Sequence, residues 1–111
     1  MKSKSVFFAY VIVLALTLPS LAQENKVGSV RFSTSCDPKV QAEFERGVAM
    51  LHSFWYSAGE KIFSEVLAQD PSCAIATWGI AALLMSNPLA GAGSSPKGAA
   101  QAQAAIEQGR K

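Results

Sequence analysis

Histidine occurs once in this chain of 111 residues and cysteine twice, and neither falls in a clustered spacing. No Cys-x-x-Cys or His-x-x-x-His pair is present, so the signature of a closed four-ligand zinc site is missing. The haem-attachment run Cys-x-x-Cys-His is absent as well. Gly91 to Ser95 is glycine-rich but lacks the Gly-Lys-Ser/Thr ending and a preceding strand, which leaves a flexible loop and no phosphate cradle. A usable surplus of positive charge is also missing. The ten Lys/Arg outnumber the eight Asp/Glu only through Lys2 and Lys4, and past Ala22 the two signs balance at eight each. Nothing basic remains there to track a phosphate backbone or an anionic membrane, so nucleic acid is not an expected partner.

The N-terminus, in contrast, carries a clear signal. Lys2 and Lys4 precede an apolar run from Val6 to Leu18, Pro19 breaks it, and Ser20-Leu21-Ala22 places small residues where signal peptidase requires them. Residues 1–22 read as a secretory signal peptide cut between Ala22 and Gln23. The run is about a dozen residues, short of the roughly 20 that span a bilayer, so no stable membrane span is expected after cleavage. The destination is periplasmic or extracellular. Two cysteines in an exported chain favour one disulfide over two free thiols.

Residues 23–36 are polar and mixed, with short Val/Ser alternation around Val30 and Phe32, and read as an extended lead-in or short edge strand. Asp37-Pro38 starts a helix: Asp37 caps it, and Pro38 sits in the first turn where a missing N–H costs nothing. Phe44, Gly47, Val48, Leu51 and Trp55 share one stripe at helical spacing and carry this helix to Phe54 or Trp55, with Trp55 in the core. A second helix covers about Ala58 to Gln69, with Ile62, Phe63, Val66 and Leu67 on its apolar side. Asp70-Pro71-Ser72 turns the chain. A third, about Cys73 to Ser86, is apolar on every side and so needs cover on every side. Residues 87–98 form a Gly/Pro/Ser loop, and Ser95-Pro96 offers a cap for an Ala-rich helix from about Lys97 to Gln108.

Helical hairpins in series invite a search for a period. Gly47 and Ala81 are small residues 34 positions apart. Within the first unit, small residues at Gly47 and Gly59 let antiparallel helices approach, Phe63 fills the space between them, and Pro71 ends the unit. That order resembles the tetratricopeptide (TPR) pattern, although Glu43 and Met50 stand where it prefers large aromatics and Trp78 lies one place late. The strings Phe44-Glu45-Arg46-Gly47-Val48, Leu51-His52-Ser53-Phe54-Trp55-Tyr56 and Asp70 through Ala81 look like a bacterial family of exported TPR-repeat proteins, over about Ser35 to Leu89. The resemblance implies an all-α fold of antiparallel helical hairpins, TPR-like and solenoidal, with no catalytic residues to carry over. Residues 37–86 would then be one hairpin plus the first helix of the next. The stretch 99–111 would start a further helix, cut short: Ile106 is its only large apolar side chain, too little to cover Ile80, Leu83 and Leu84. In a stacked repeat Cys36 and Cys73 each precede the first helix of a hairpin, where helix starts lie side by side, so the two are expected to pair.

His52 lies at the edge of the first helix's stripe beside Phe54, Trp55 and Tyr56. A catalytic histidine needs an orienting carboxylate and a nucleophile, and spacing nominates neither. Catalytic residues, metal ligands and cofactor-binding residues are therefore all unassigned, and no cofactor is expected. The function that remains is a non-enzymatic exported scaffold holding a protein or peptide partner, with self-association left open. Its rivals are the N-terminal helical part of a longer exported enzyme and a secreted module for a small apolar ligand.

Overall fold

In the computed structural model the described residues are 27–91 and 93–111. The expected signal peptide, residues 1–22, and the expected cleavage between Ala22 and Gln23 lie outside them. The helical part begins where Asp37 and Pro38 direct it: the Asp37 carboxylate accepts the Lys39 N–H at 2.9 Å, and Pro38–Val40 form a 3-10 turn leading into α1, Gln41–His52. Helix α2 spans Tyr56–Gln69, α3 Ala74–Leu84, and α4 Pro96–Gly109. The Ser95 hydroxyl accepts the Gly98 N–H at 3.0 Å and satisfies one of the donors that open α4. The described residues form these four helices and no strand, an all-α architecture.

Helix α1 stops earlier than its apolar stripe suggests. Phe54 takes a left-handed backbone (φ 57°), the Phe54 N–H donates to Leu51 O at 3.2 Å, and the Trp55 N–H donates to Met50 O at 3.0 Å. This pair of bonds closes a helix C-terminus by satisfying carbonyls that have no partner further on. The turn rotates Trp55 out of the helical stripe, and it lies 42 % exposed instead of in the core. Helix α3 ends in the same manner, with Ser86 left-handed (φ 67°) and its N–H donating to Leu83 O at 3.1 Å.

Close approaches fix the topology. Gly47 of α1 meets Phe63 of α2, and Gly59 meets Met50, so those helices run antiparallel. Phe63 meets Gly79 of α3 and Gly59 meets Leu83, which makes α3 antiparallel to α2. Gly98 of α4 abuts Leu84, and Gly109 abuts Ala74 and Thr77, so α4 returns along α3. The described residues thus form two antiparallel hairpins, α1–α2 and α3–α4, with α2 packed against both helices beside it. The expected loop 87–98 is shorter than it looked: Pro88–Ala90 forms a 3-10 turn and α4 starts at Pro96 because Ser95 caps it.

Phe63 sits at the centre. Its ring is fully buried, 5.5 Å from the Phe44 ring, and it fills the gap between two glycines. An alanine Cβ at Gly47 would fall 2.8 Å from Phe63 Cε1, and one at Gly79 would fall 2.5 Å from Cε2 on the ring's other edge. Val40, Phe44, Val48, Val66, Cys73, Ala76 and Leu83 complete this core. Burying one large apolar side chain of this kind contributes about 1.5–3 kcal/mol. Helix α4 covers one side of α3, and Trp78 and Met85 stay partly exposed on others.

Candidate interaction face

Helices α1 and α3 are the first helices of the two hairpins, and they lie on the same side of α2. Across their outer faces runs the lead-in, from Val27 to Ser35, with no regular structure of its own. Its placement is set by the only aromatic side chain in that polar stretch. The Phe32 ring stacks on Trp78 of α3 with centroids 6.1 Å apart and meets the Phe44 ring of α1 edge-on at 5.5 Å. Val30 packs against the core beside it.

Two α1 side chains one turn apart hold the backbone of this segment. The Phe32 N–H donates to Glu45 Oε1 at 3.0 Å, and Gln41 Nε2 donates to Phe32 O at 2.7 Å. Residues four apart on a helix are neighbours on its surface, so Gln41 also donates to Glu45 Oε1 at 3.0 Å, fixing the pair. The Thr34 hydroxyl donates to Gln41 Oε1 at 2.7 Å. Accepting the Phe32 N–H, then the Gln41 amide, holds the Glu45 carboxyl below the ordinary range, with a smaller contribution from the Arg31 charge. A shallow open cleft lined by Ser33, Thr34, Cys36, Pro38, Gln41 and Glu45 borders the segment.

The far end of the lead-in is tied down at the junction of the hairpins. Cys36 and Cys73, 37 positions apart in sequence, are disulfide-bonded. Beside the bond, Asp70 ends α2 with a buried carboxylate that accepts from three donors: the Asp37 N–H at 2.8 Å, the Ser72 N–H at 3.0 Å and the Ser72 hydroxyl at 2.6 Å. The Asp37 N–H does most to hold the Asp70 carboxyl below the ordinary range, followed by the Ser72 hydroxyl. Asp70 therefore bridges the starts of both hairpins by hydrogen bonds where the disulfide bridges them covalently. Cys36, Cys73 and Asp70 are also near enough to one another to hold a metal ion, but a disulfide consumes the thiolates that a metal would need. A bond of this kind suits an oxidising, exported environment.

The other residues singled out from sequence are dispersed. Gly47, Gly59 and Phe63 line the α1–α2 contact, Ala81 is buried in α3, and Pro71 is exposed in the turn after Asp70. Trp78 faces the lead-in. His52 is exposed in the last turn of α1. Phe54, Trp55, Met85 and Leu89 form an exposed apolar end where α1 turns into α2 and α3 leaves for α4, opposite the disulfide. Among the described residues, no helix is long and apolar enough to cross a membrane.

Sequence reasoning passed over Gln41, quoted Glu45 and Gly79 only within family-like strings, and took Asp70 as a turn signal. The i, i+4 spacing of Gln41 and Glu45 along the edge of the apolar stripe was the available signal for the first two. Gly79, the one glycine of α3, was the signal for a close approach. Comparison with known proteins gives no matching family model, curated protein or solved structure.

Proposed function

We propose that this chain is an exported, TPR-like helical-repeat scaffold, periplasmic or extracellular, that holds a protein or peptide partner on the face formed by α1 and α3. The observation that carries the reading is the lead-in itself. An extended stretch of polypeptide already lies across that face, its backbone N–H and C=O satisfied by Glu45 and Gln41 and its aromatic ring seated between Phe44 and Trp78. Pairing with a backbone supplies affinity for any extended chain, and an aromatic seat supplies selection, the usual division of labour in peptide recognition.

The TPR-like part of the proposal rests on two stacked antiparallel hairpins and on Phe63 filling the space between small residues of neighbouring helices. The exported part rests on the leader-like residues 1–22 and on the disulfide.

Affinity capture with the oxidised chain from periplasmic or culture extract, compared with Trp78→Ser, tests the function. One defined partner retained by the wild type and lost by the variant is the expected result. Identical captured sets, with both proteins equally folded by circular dichroism, would remove the basis for assigning binding to this face.

A further inference from the structure

Both hydrogen bonds on Phe32 go to its backbone, and its ring makes the aromatic contacts; beside it the segment adds only the Thr34 hydroxyl bond to Gln41 and the apolar contact of Val30. The two backbone anchors and the ring seat would therefore serve any extended peptide that brings an aromatic side chain to the same place, and the Thr34 hydroxyl is the one side-chain hydrogen bond such a peptide would have to match or forgo. The seat is also incompletely filled, since Phe32 and Trp78 each remain 37 % exposed while Phe44 beneath them is fully buried. Residues 27–35 gain no hydrogen-bonded structure of their own that would be lost on leaving. Among the described residues the covalent tether lies on one side: the Cys36–Cys73 bond pins the chain four residues after Phe32 and would keep the segment attached when it leaves.

Resting on the scaffold reading above, we propose that the segment around Phe32 is a displaceable occupant of the α1/α3 face, and that the partner is a protein presenting an extended segment with an aromatic side chain that takes the place of Phe32. A tethered occupant competes at high effective concentration. It lowers the apparent affinity of an incoming peptide in proportion to the fraction of molecules in which the face is free. The lead-in then acts as a built-in selector that only a better-fitting segment displaces, with Gln41 and Glu45 reading the incoming backbone and Trp78 and Phe44 its ring.

The test uses the full oxidised chain and a fluorescein-labelled synthetic peptide carrying the sequence Gly28 to Ser35, followed by fluorescence anisotropy. Phe32→Ala empties the seat without altering it. If the face is occupied in about nine molecules of ten, the variant should bind the peptide about tenfold more tightly than the wild type does. Adding Gln41→Ala to that variant should cancel the gain, and a competitor peptide with alanine in place of its phenylalanine should fail to displace the probe. The proposal is overturned if Phe32→Ala, with unchanged helicity and melting, binds no better than wild type, or if the alanine-bearing competitor works equally well. Should Phe32→Ala loosen the fold, the wild type answers alone: saturating peptide should speed hydrogen exchange at the Phe32 N–H and leave Val66 unchanged, and no change at Phe32 overturns the proposal. A failed peptide test alongside partner capture that depends on Trp78 removes this inference only; failure of both removes the scaffold reading as well.

Discussion

Gly79→Ala is the substitution in which tertiary contact and local preference disagree most sharply. In an exposed helix interior, alanine is more favourable than glycine by about 0.8–1 kcal/mol. Here the new Cβ would lie 2.5, 2.6 and 2.7 Å from Cε2, Cζ and Cδ2 of Phe63, far inside ordinary contact. The ring has little room to give way, because its opposite edge lies against Gly47, close enough that an added Cβ there would itself fall 2.8 Å from Cε1, and the Phe44 ring centroid is 5.5 Å away. Overpacking of this type costs about 1–3 kcal/mol. Three contacts this short put the cost at the upper end of that range, about 2–3 kcal/mol, so that after the helix gain a net loss of about 1–2 kcal/mol remains, a fall in melting temperature of roughly 4–15 °C for a domain of this size. Gly59→Ala is the internal control. Its Cβ meets Leu83 Cδ1 at 3.1 Å, the far end of a flexible side chain, and should cost much less. Thermal and urea unfolding by far-ultraviolet circular dichroism measures both. A Gly79→Ala chain as stable as wild type, or more so, would refute the clamp around Phe63 and with it the register of α1, α2 and α3.

Replacing both Cys36 and Cys73 by alanine should cost about 4 kcal/mol from loop-closure entropy over the 37-residue separation, read as a lower urea midpoint; peptide mapping without reductant should first show the native bond. Asp70 has a folded-state pKa below its unfolded value, so its contribution is present above the unfolded carboxylate range and is lost as pH falls through the folded value. Asp70→Asn should therefore lower stability at pH 6 more than at pH 2, and a pH-independent difference in melting temperature would count against the Asp37–Asp70–Ser72 bridge. Exported protein should begin at Gln23, and an intact mass that retains Met1 would show that residues 1–22 are not removed.

Much of the helical frame was legible because local chemistry and tertiary packing agree there. Asp37-Pro38 and Ser95-Pro96 are start signals whose side chains do cap, and the α2 stripe of Ile62, Phe63 and Val66 is buried as its spacing requires. Cys36 and Cys73 pair because both lie at hairpin starts. Trp55 misled for a definite reason: periodicity cannot register a left-handed Phe54, a conformation that usually selects glycine. The interaction face was hidden for another. Phe32 stands 46 positions before the Trp78 it stacks on, and Gln41 and Glu45 look like any solvated helix pair until an extended backbone lies across them. Long-range contacts made by a segment without periodicity leave no local trace.

The central claim is that α1 and α3 together present a face that holds extended polypeptide. Titrating isotopically labelled, oxidised chain with the captured partner's binding segment, followed by amide nuclear magnetic resonance, tests it directly. Shifts concentrated on Phe32, Gln41, Phe44, Glu45 and Trp78, with Glu60 to Glu65 on the outside of α2 unmoved, are the predicted result. Shifts centred instead on Phe54, Met85 and Leu89 at the opposite end would contradict it.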